Sequence, residues 1–180
     1  MTRPLIDAMT RQIKQIHRNT LVVTGDLTDE QLALQPGIKA PPIGWHLWHV
    51  GRWSDRLQAS LASRSSAPDL HPGERWVVED LAASWGLTSA DLGWLQSGIG
   101  MEIETAVIVA QLGSNVLGAY ARQSFAAVEA AVGSLEDSDL LQKRPQFYPQ
   151  LLVTEDGAYQ SGRHEQSSML DDIHYHLVHT

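Results

Sequence analysis

The sequence predicts an all-α protein, an antiparallel four-helix bundle in which short helices and loops join the long helices. Three observations predict it. Apolar residues recur at helical spacing over four long segments. Prolines and glycines cluster between those segments. No alternating apolar and polar run is long enough to build a sheet. Helices of this kind bury their apolar stripes against one another, and bundles build their sites from side chains on facing helices.

The first helix carries Leu5, Ile6, Met9, Ile13 and Ile16 on one stripe, with Asp7, Arg11, Lys14 and Arg18 between them, and stops near Gly25. Thr28-Asp29-Glu30-Gln31 has the form of a capping box and opens a short turn of helix before Pro36-Gly37. The second long helix starts at Pro41-Pro42, because proline suits a first turn, and runs through Trp53, Leu57 and Leu61 to a polar loop over residues 63–68. From Pro68 to Gly100 the breakers Pro72-Gly73, Gly86, Gly93 and Gly98-Ile99-Gly100 leave room for short helices and turns only. Residues 79–85 make one such piece, and Thr88 caps another. Trp76, Trp85 and Trp94 recur every nine residues. Nine helical steps of roughly 100° reach the opposite face, so this spacing marks neither a stripe nor a repeat.

The third long helix runs from Met101 through Leu112, Leu117, Tyr120, Phe125, Val128 and Val132, with a break at Gly113-Ser114-Asn115 and an end near Gly133. A short helix over 137–142, an extended piece over 151–153 and a turn at Glu155-Asp156-Gly157 follow. The last helix opens at Ser161-Gly162 and carries Met169, Ile173 and Leu177 on one face. No capping signal stands near Thr180, so we expect one domain over residues 1–180 whose last helix is cut.

Composition narrows the function. A chain of 180 residues, 43% hydrophobic and 19% charged, can bury a real core. Its 13 basic and 21 acidic residues give a formal charge of −8, which repels a phosphate backbone, so nucleic acid is excluded as a partner. Without cysteine the chain has no disulfide and no thiolate, and any metal must sit on His, Asp or Glu. The first residues lack a signal-peptide run and no window reaches the roughly 18 apolar residues of a membrane span, so the expected location is the cytoplasm.

Two segments concentrate the chemistry. In the second helix His49 lies one turn from His46 and Trp45 and one turn from Arg52 and Trp53. In the last helix His176 and His179 are three apart, and Asp172 stands four before His176. His176, His179 and Asp172 can therefore project to one side, and a divalent ion such as zinc or nickel bound by three neutral imidazoles keeps a position open while a neighbouring carboxylate orients a ring N–H. Plainer uses fit the same residues. A lone histidine in an amphipathic helix is more often a hydrogen-bonded core group, terminal histidines complement the helix dipole, indoles pack the core, and Arg52 with Asp55 or Arg56 makes surface pairs.

The stretch from Pro42 to His49 with Arg52-Trp53-Ser54-Asp55, the run from Trp76 to Leu87 with Gly98-Ile99-Gly100-Met101, and the closing run from Asp171 to Thr180 resemble the DinB-like superfamily, and the likeness touches the whole chain. That resemblance implies a four-helix bundle with a three-histidine metal site, one ligand from the second helix and an HxxxH pair from the last. Relatives include bacillithiol- and mycothiol-dependent transferases and maleylpyruvate isomerases. Carried over residue by residue, the second-helix ligand falls on His49 and the first histidine of the pair on His179. The second would stand four residues further on, and His176 takes its place if the match is shifted. The resemblance therefore implies a metal-dependent transferase, or an isomerase, that activates a low-molecular-weight thiol toward a small-molecule substrate, in a homodimer. Arg52 would anchor an anionic substrate, and Trp45, Trp53 and His46 would shape the pocket. The competing expectation is a catalytically silent bundle that binds a small molecule or a partner subunit through its tryptophan-rich surfaces.

Overall fold

The computed structural model describes residues 3–64, 70–145, 151–153, 159–161 and 166–179. Helix α1 spans Pro4–Gly25 with its proline in the first turn. The backbone N–H groups of Leu5 and Ile6, which have no partner inside the helix, donate to the Asp137 carboxylate at 3.3 and 3.0 Å. The Thr28 capping box closes as its sequence predicts, with Gln31 N to Thr28 Oγ1 at 3.2 Å and Thr28 N to Gln31 Oε1 at 2.9 Å. It opens α2, Asp29–Leu32. Helix α3, Ile43–Ser63, follows Pro42, and α4, Arg75–Val78, α5, Leu81–Ser84, and a 3-10 turn, Ser89–Leu92, form the expected broken excursion. The third long region is α6, Ile103–Ala110, and α7, Gly113–Gly133. Its break falls at Gly113, whose φ of 84° suits a residue without Cβ; the Asp29 carboxylate fills the gap and accepts Ser114 N at 2.7 Å.

Four local expectations are corrected. Residues 137–142 fold as turns, because the Asp139 carboxylate takes Glu136 N at 2.9 Å and Gln142 Nε2 at 2.8 Å while Asp137 caps α1. The piece over 79–85 is only α5, separated from α4 by Asp80 in the left-handed region with φ 46°. Thr88 supports its turn through the backbone carbonyl, which accepts Asp91 N at 2.9 Å, and its side chain makes no cap bond. The last helix, α8, Met169–His179, starts well after Ser161. Ahead of it, β1 (Lys143–Pro145) pairs antiparallel with β4 (Gln166–Ser168) in the register Arg144 to Ser167, and β2 (Leu151–Val153) pairs with β3 (Tyr159–Ser161). Three-residue strands are too short to show alternation. The helix then opens on its own box: Ser168 Oγ accepts Asp171 N at 3.1 Å, and Asp171 Oδ2 accepts Ser168 N at 2.8 Å. Residues 65–68 of the polar loop and the turn at Glu155-Asp156-Gly157 lie outside the described residues.

Helix α3 is the centre of the bundle, with fourteen of its 21 residues buried. On one side Trp53, Leu57 and Leu61 meet Ile6 and Ile13 of α1, Val128 and Val132 of α7 and Ile173 of α8. On the other, Leu47 and Trp48 meet Trp76, Leu92, Leu117, Tyr120 and Phe125. Trp76 and Trp85, excluded as a helical stripe, nonetheless pack edge to face at 5.3 Å, because the excursion folds two short elements against one core. No helix among the described residues is long and apolar enough to cross a membrane.

Gly98 seals the excursion onto α3. Its φ is 92°, and an added Cβ would stand 2.6 Å from Trp45 Cζ2 and 2.9 Å from Trp48 Cζ3. Gly98→Ala is therefore expected to destabilise the protein by about 1–3 kcal/mol, read as a lower urea midpoint at unchanged slope.

Candidate functional site

The site begins with what holds the excursion in place. Asp55 of α3 is fully buried and receives Arg75 N and Trp76 N, both at 2.9 Å, from the first turn of α4. Tyr120 Oη adds a third bond to it at 3.1 Å. Arg52, one turn earlier and also buried, donates to Glu74 at 2.7 Å, to Tyr120 Oη at 3.3 Å and to Asp55 at 3.4 Å. Glu74 further accepts Arg56 at 3.1 Å and His71 N at 2.8 Å. Burial works against the Arg52 charge, yet Tyr120, Glu74 and Asp55 around it hold its pKa above the ordinary guanidinium value.

The remaining donors of Arg52 reach two backbone carbonyls, Gln96 at 3.0 Å and Leu95 at 3.4 Å. Both residues sit in the left-handed region, with φ of 50° and 53°, a conformation that costs side-chain-bearing residues energy and that Arg52 holds in place. Trp76 Nε1 locks the Gln96 side chain at 2.6 Å. This turn delivers the next carbonyl, Ser97, to His49 Nδ1. A carbonyl only accepts, so Nδ1 carries the proton, and the neutral ring directs its Nε2 lone pair across to α8.

His179 meets it there. The two Nε2 atoms stand 3.2 Å apart. Trp45 stacks on the His49 ring at 4.5 Å, Trp53 donates Nε1–H to His49 Nε2 at 3.1 Å, and Tyr175 stacks on His179 at 5.5 Å. Burial lowers the pKa of His49 to about 4, and partial burial lowers that of His179, so both rings are neutral near pH 7. Two nitrogens bound to one zinc ion at its usual distances stand about 3.3 Å apart in tetrahedral geometry, and the separation of this pair is close to that.

Three of the expected site residues, His176, Asp172 and Arg52, go elsewhere. His176 is fully buried and turns Nε2 toward His17 Nε2 of α1 at 3.4 Å. Asp172 accepts Arg144 at 2.6 and 3.0 Å and Ser167 Oγ at 2.8 Å, and Arg144 in turn donates to Ser60 O of α3 at 3.0 Å, which ties α8 to the bundle. Arg52, expected to anchor an anion, is 1% exposed and serves the excursion. Trp48 and Trp53 are core residues, Trp45 is half-buried and His46 is exposed. Among the described residues no three His, Asp or Glu side chains converge as a metal cage. His17, Glu129, Glu74, Ser97 and Tyr120 did not emerge from the sequence. For His17 a signal existed, since it continues the apolar stripe of Ile6, Met9 and Ile13, where a polar residue needs a buried partner.

The sequence model of the DinB superfamily matches residues 12–167. No curated protein matches the chain.

Two outcomes follow from the geometry. Glu74→Gln leaves Arg52 and Arg56 without their shared carboxylate and is expected to cost about 3–5 kcal/mol in denaturant unfolding. Burial also depresses His49 to about 4 and His176 to about 3 from an ordinary value of 6.5. In that window the unfolded chain binds protons that the folded chain does not, so stability rises with pH through it and is lost as pH falls from 6.5 toward 4. Thermal melts across this range should show the loss, with a shallower slope in His176→Asn.

Proposed function

The chain belongs to the DinB superfamily, and on that premise we propose that it is a metal-binding protein whose ion, zinc or nickel, is held by His49 and His179 and serves to activate a low-molecular-weight thiol for transfer. The observation that carries this reading is the 3.2 Å approach of two neutral Nε2 atoms from facing helices. When bound, an ion at this place would supply the Lewis acidity that lowers a thiol's pKa and keeps it as the thiolate nucleophile.

The chain's own residues prepare that chemistry. The Ser97 carbonyl fixes His49 as the Nδ1–H tautomer, so that its Nε2 lone pair stays available without the cost of losing a proton. Trp45 and Trp53 exclude water from one side of the ring, and Trp53 lends Nε1–H to the same lone pair. Tyr175 and His46 border the more exposed side, where a small thiol and its electrophile would approach. Arg52 is enclosed and does not take the anion-binding task expected of it.

Zinc or nickel titrated into the purified chain tests the reading. Stoichiometric binding is expected, with release of the Trp53 bond read as a change in tryptophan fluorescence. His49→Ala and His179→Ala should each weaken it beyond the roughly 10–100-fold that loss of a supporting partner costs. Stoichiometric binding that survives both substitutions overturns the assignment.

A further inference from the structure

A second histidine pair joins α8, the helix that also carries His179, to α1. His17 of α1 and His176 of α8, 2% and 0% exposed, face each other through Nε2 at 3.4 Å. His17 Nδ1 meets Glu129 Oε1 of α7 at 2.9 Å, and the Phe125 ring stacks on His17 at 4.0 Å, nearly parallel at 4°. With the near carboxylate oxygen of Glu129 spent on His17, both rings of this pair already face hydrogen-bond partners. Those hydrogen bonds have a direction. A carboxylate only accepts, so His17 Nδ1 carries the proton, and burial keeps the ring neutral, which leaves Nε2 as a lone pair. His176 must then donate through Nε2–H.

This has a consequence one turn further along α8. His179 follows His176 by three residues, and the two rings project from neighbouring rows of one helix. Whatever fixes the rotation of α8 at His176 fixes where His179 points. On the strand side Arg144 holds Asp172; on the bundle side Glu129 and His17 hold His176. We infer that His17 and Glu129 are positioning residues: they claim His176 as a hydrogen-bond donor, keep its Nε2 out of the ligand set, and set the rotation that brings His179 opposite His49. The inference rests on the metal-site reading above and adds two residues, from α1 and α7, that act through α8 without touching the ion.

Three measurements test it. Nitrogen-15 spectra of the metal-free, histidine-labelled protein should show His176 as the Nε2–H tautomer, and it should keep that form when zinc is added. Zinc affinity should fall by about tenfold in Glu129→Ala and in His17→Ala, the low end of what loss of a supporting partner costs. Glu129→Gln, whose amide oxygen still accepts from Nδ1–H, should bind within about twofold of the wild type. Glu129 is about a quarter exposed, with a side-chain exposure of 23%, so its variants remain informative if His17→Ala does not fold. An Nδ1–H tautomer for His176, zinc coordination through its Nε2, or equal affinity in Glu129→Ala and wild type would each overturn the inference. Failure of the metal reading itself looks different, because there His49→Ala leaves zinc binding unchanged.

Discussion

The fold depends on keeping two buried guanidinium groups and two buried carboxylates together. Arg52, Asp55, Arg56 and Glu74 are each at most 2% exposed and balance in charge, two positive against two negative. Taking any of these ions out of water costs several kcal/mol, and only a complete set of partners offsets that. The set is completed by groups far away in sequence: the N–H groups that open α4, the Tyr120 hydroxyl from α7 and the carbonyls of Leu95 and Gln96. The excursion over 71–97 contains no long helix of its own. It is held to α3 by this polar network and by Trp76, whose ring lies under the Arg52 guanidinium at 4.7 Å.

Holding the excursion so firmly allows it to carry strain. Two consecutive side-chain-bearing residues in the left-handed region, Leu95 and Gln96, would each relax if the turn were free, at a gain of about 1–3 kcal/mol. Held by Arg52, they aim the carbonyls of 95, 96 and 97 at one face of α3, and the third selects the tautomer of His49. A structural ion network and the chemistry of one imidazole are thus joined through three peptide groups. Arg52 acts on the site by shaping its backbone, which explains why a residue so close to His49 in sequence is closed to any ligand.

The sequence made the helices legible because their evidence is local: apolar period, a capping box at Thr28, a glycine break at 113. It failed where the decisive partner was distant or the element too short. The pattern places the opening of α8 too early although Ser168 and Asp171 spell a box, since the paired three-residue strands before it leave no period to read. In the site, His49 and His179 were visible as histidines on two helices, and facing helices bring them together. The fate of Arg52 was not visible, because Glu74 stands 22 residues on, across a stretch without pattern. Spacing along the helix groups His176 with His179. Three residues is also the spacing at which a helix can turn one ring toward α3 and its neighbour toward α1, and only the topology decides between these.

The His49 and His179 contact also carries a conflict that neutral rings cannot resolve alone. With Nδ1–H fixed by Ser97, His49 offers a single in-plane lone pair at Nε2, and Trp53 already donates to it at 3.1 Å. If His179 carries its proton on Nε2, two donors compete for one acceptor. If it carries the proton on Nδ1, two lone pairs face each other across 3.2 Å. Either tautomer leaves one contact poor, in a place where burial forbids the simple remedy of protonating His49 near neutral pH. A cation bound by both nitrogens would give both lone pairs a use. The frustration of this contact is therefore the physical argument behind the proposed ligand pair, whereas the His17 and His176 contact, with one donor and one acceptor in a fixed direction, is already satisfied and ties the helices together.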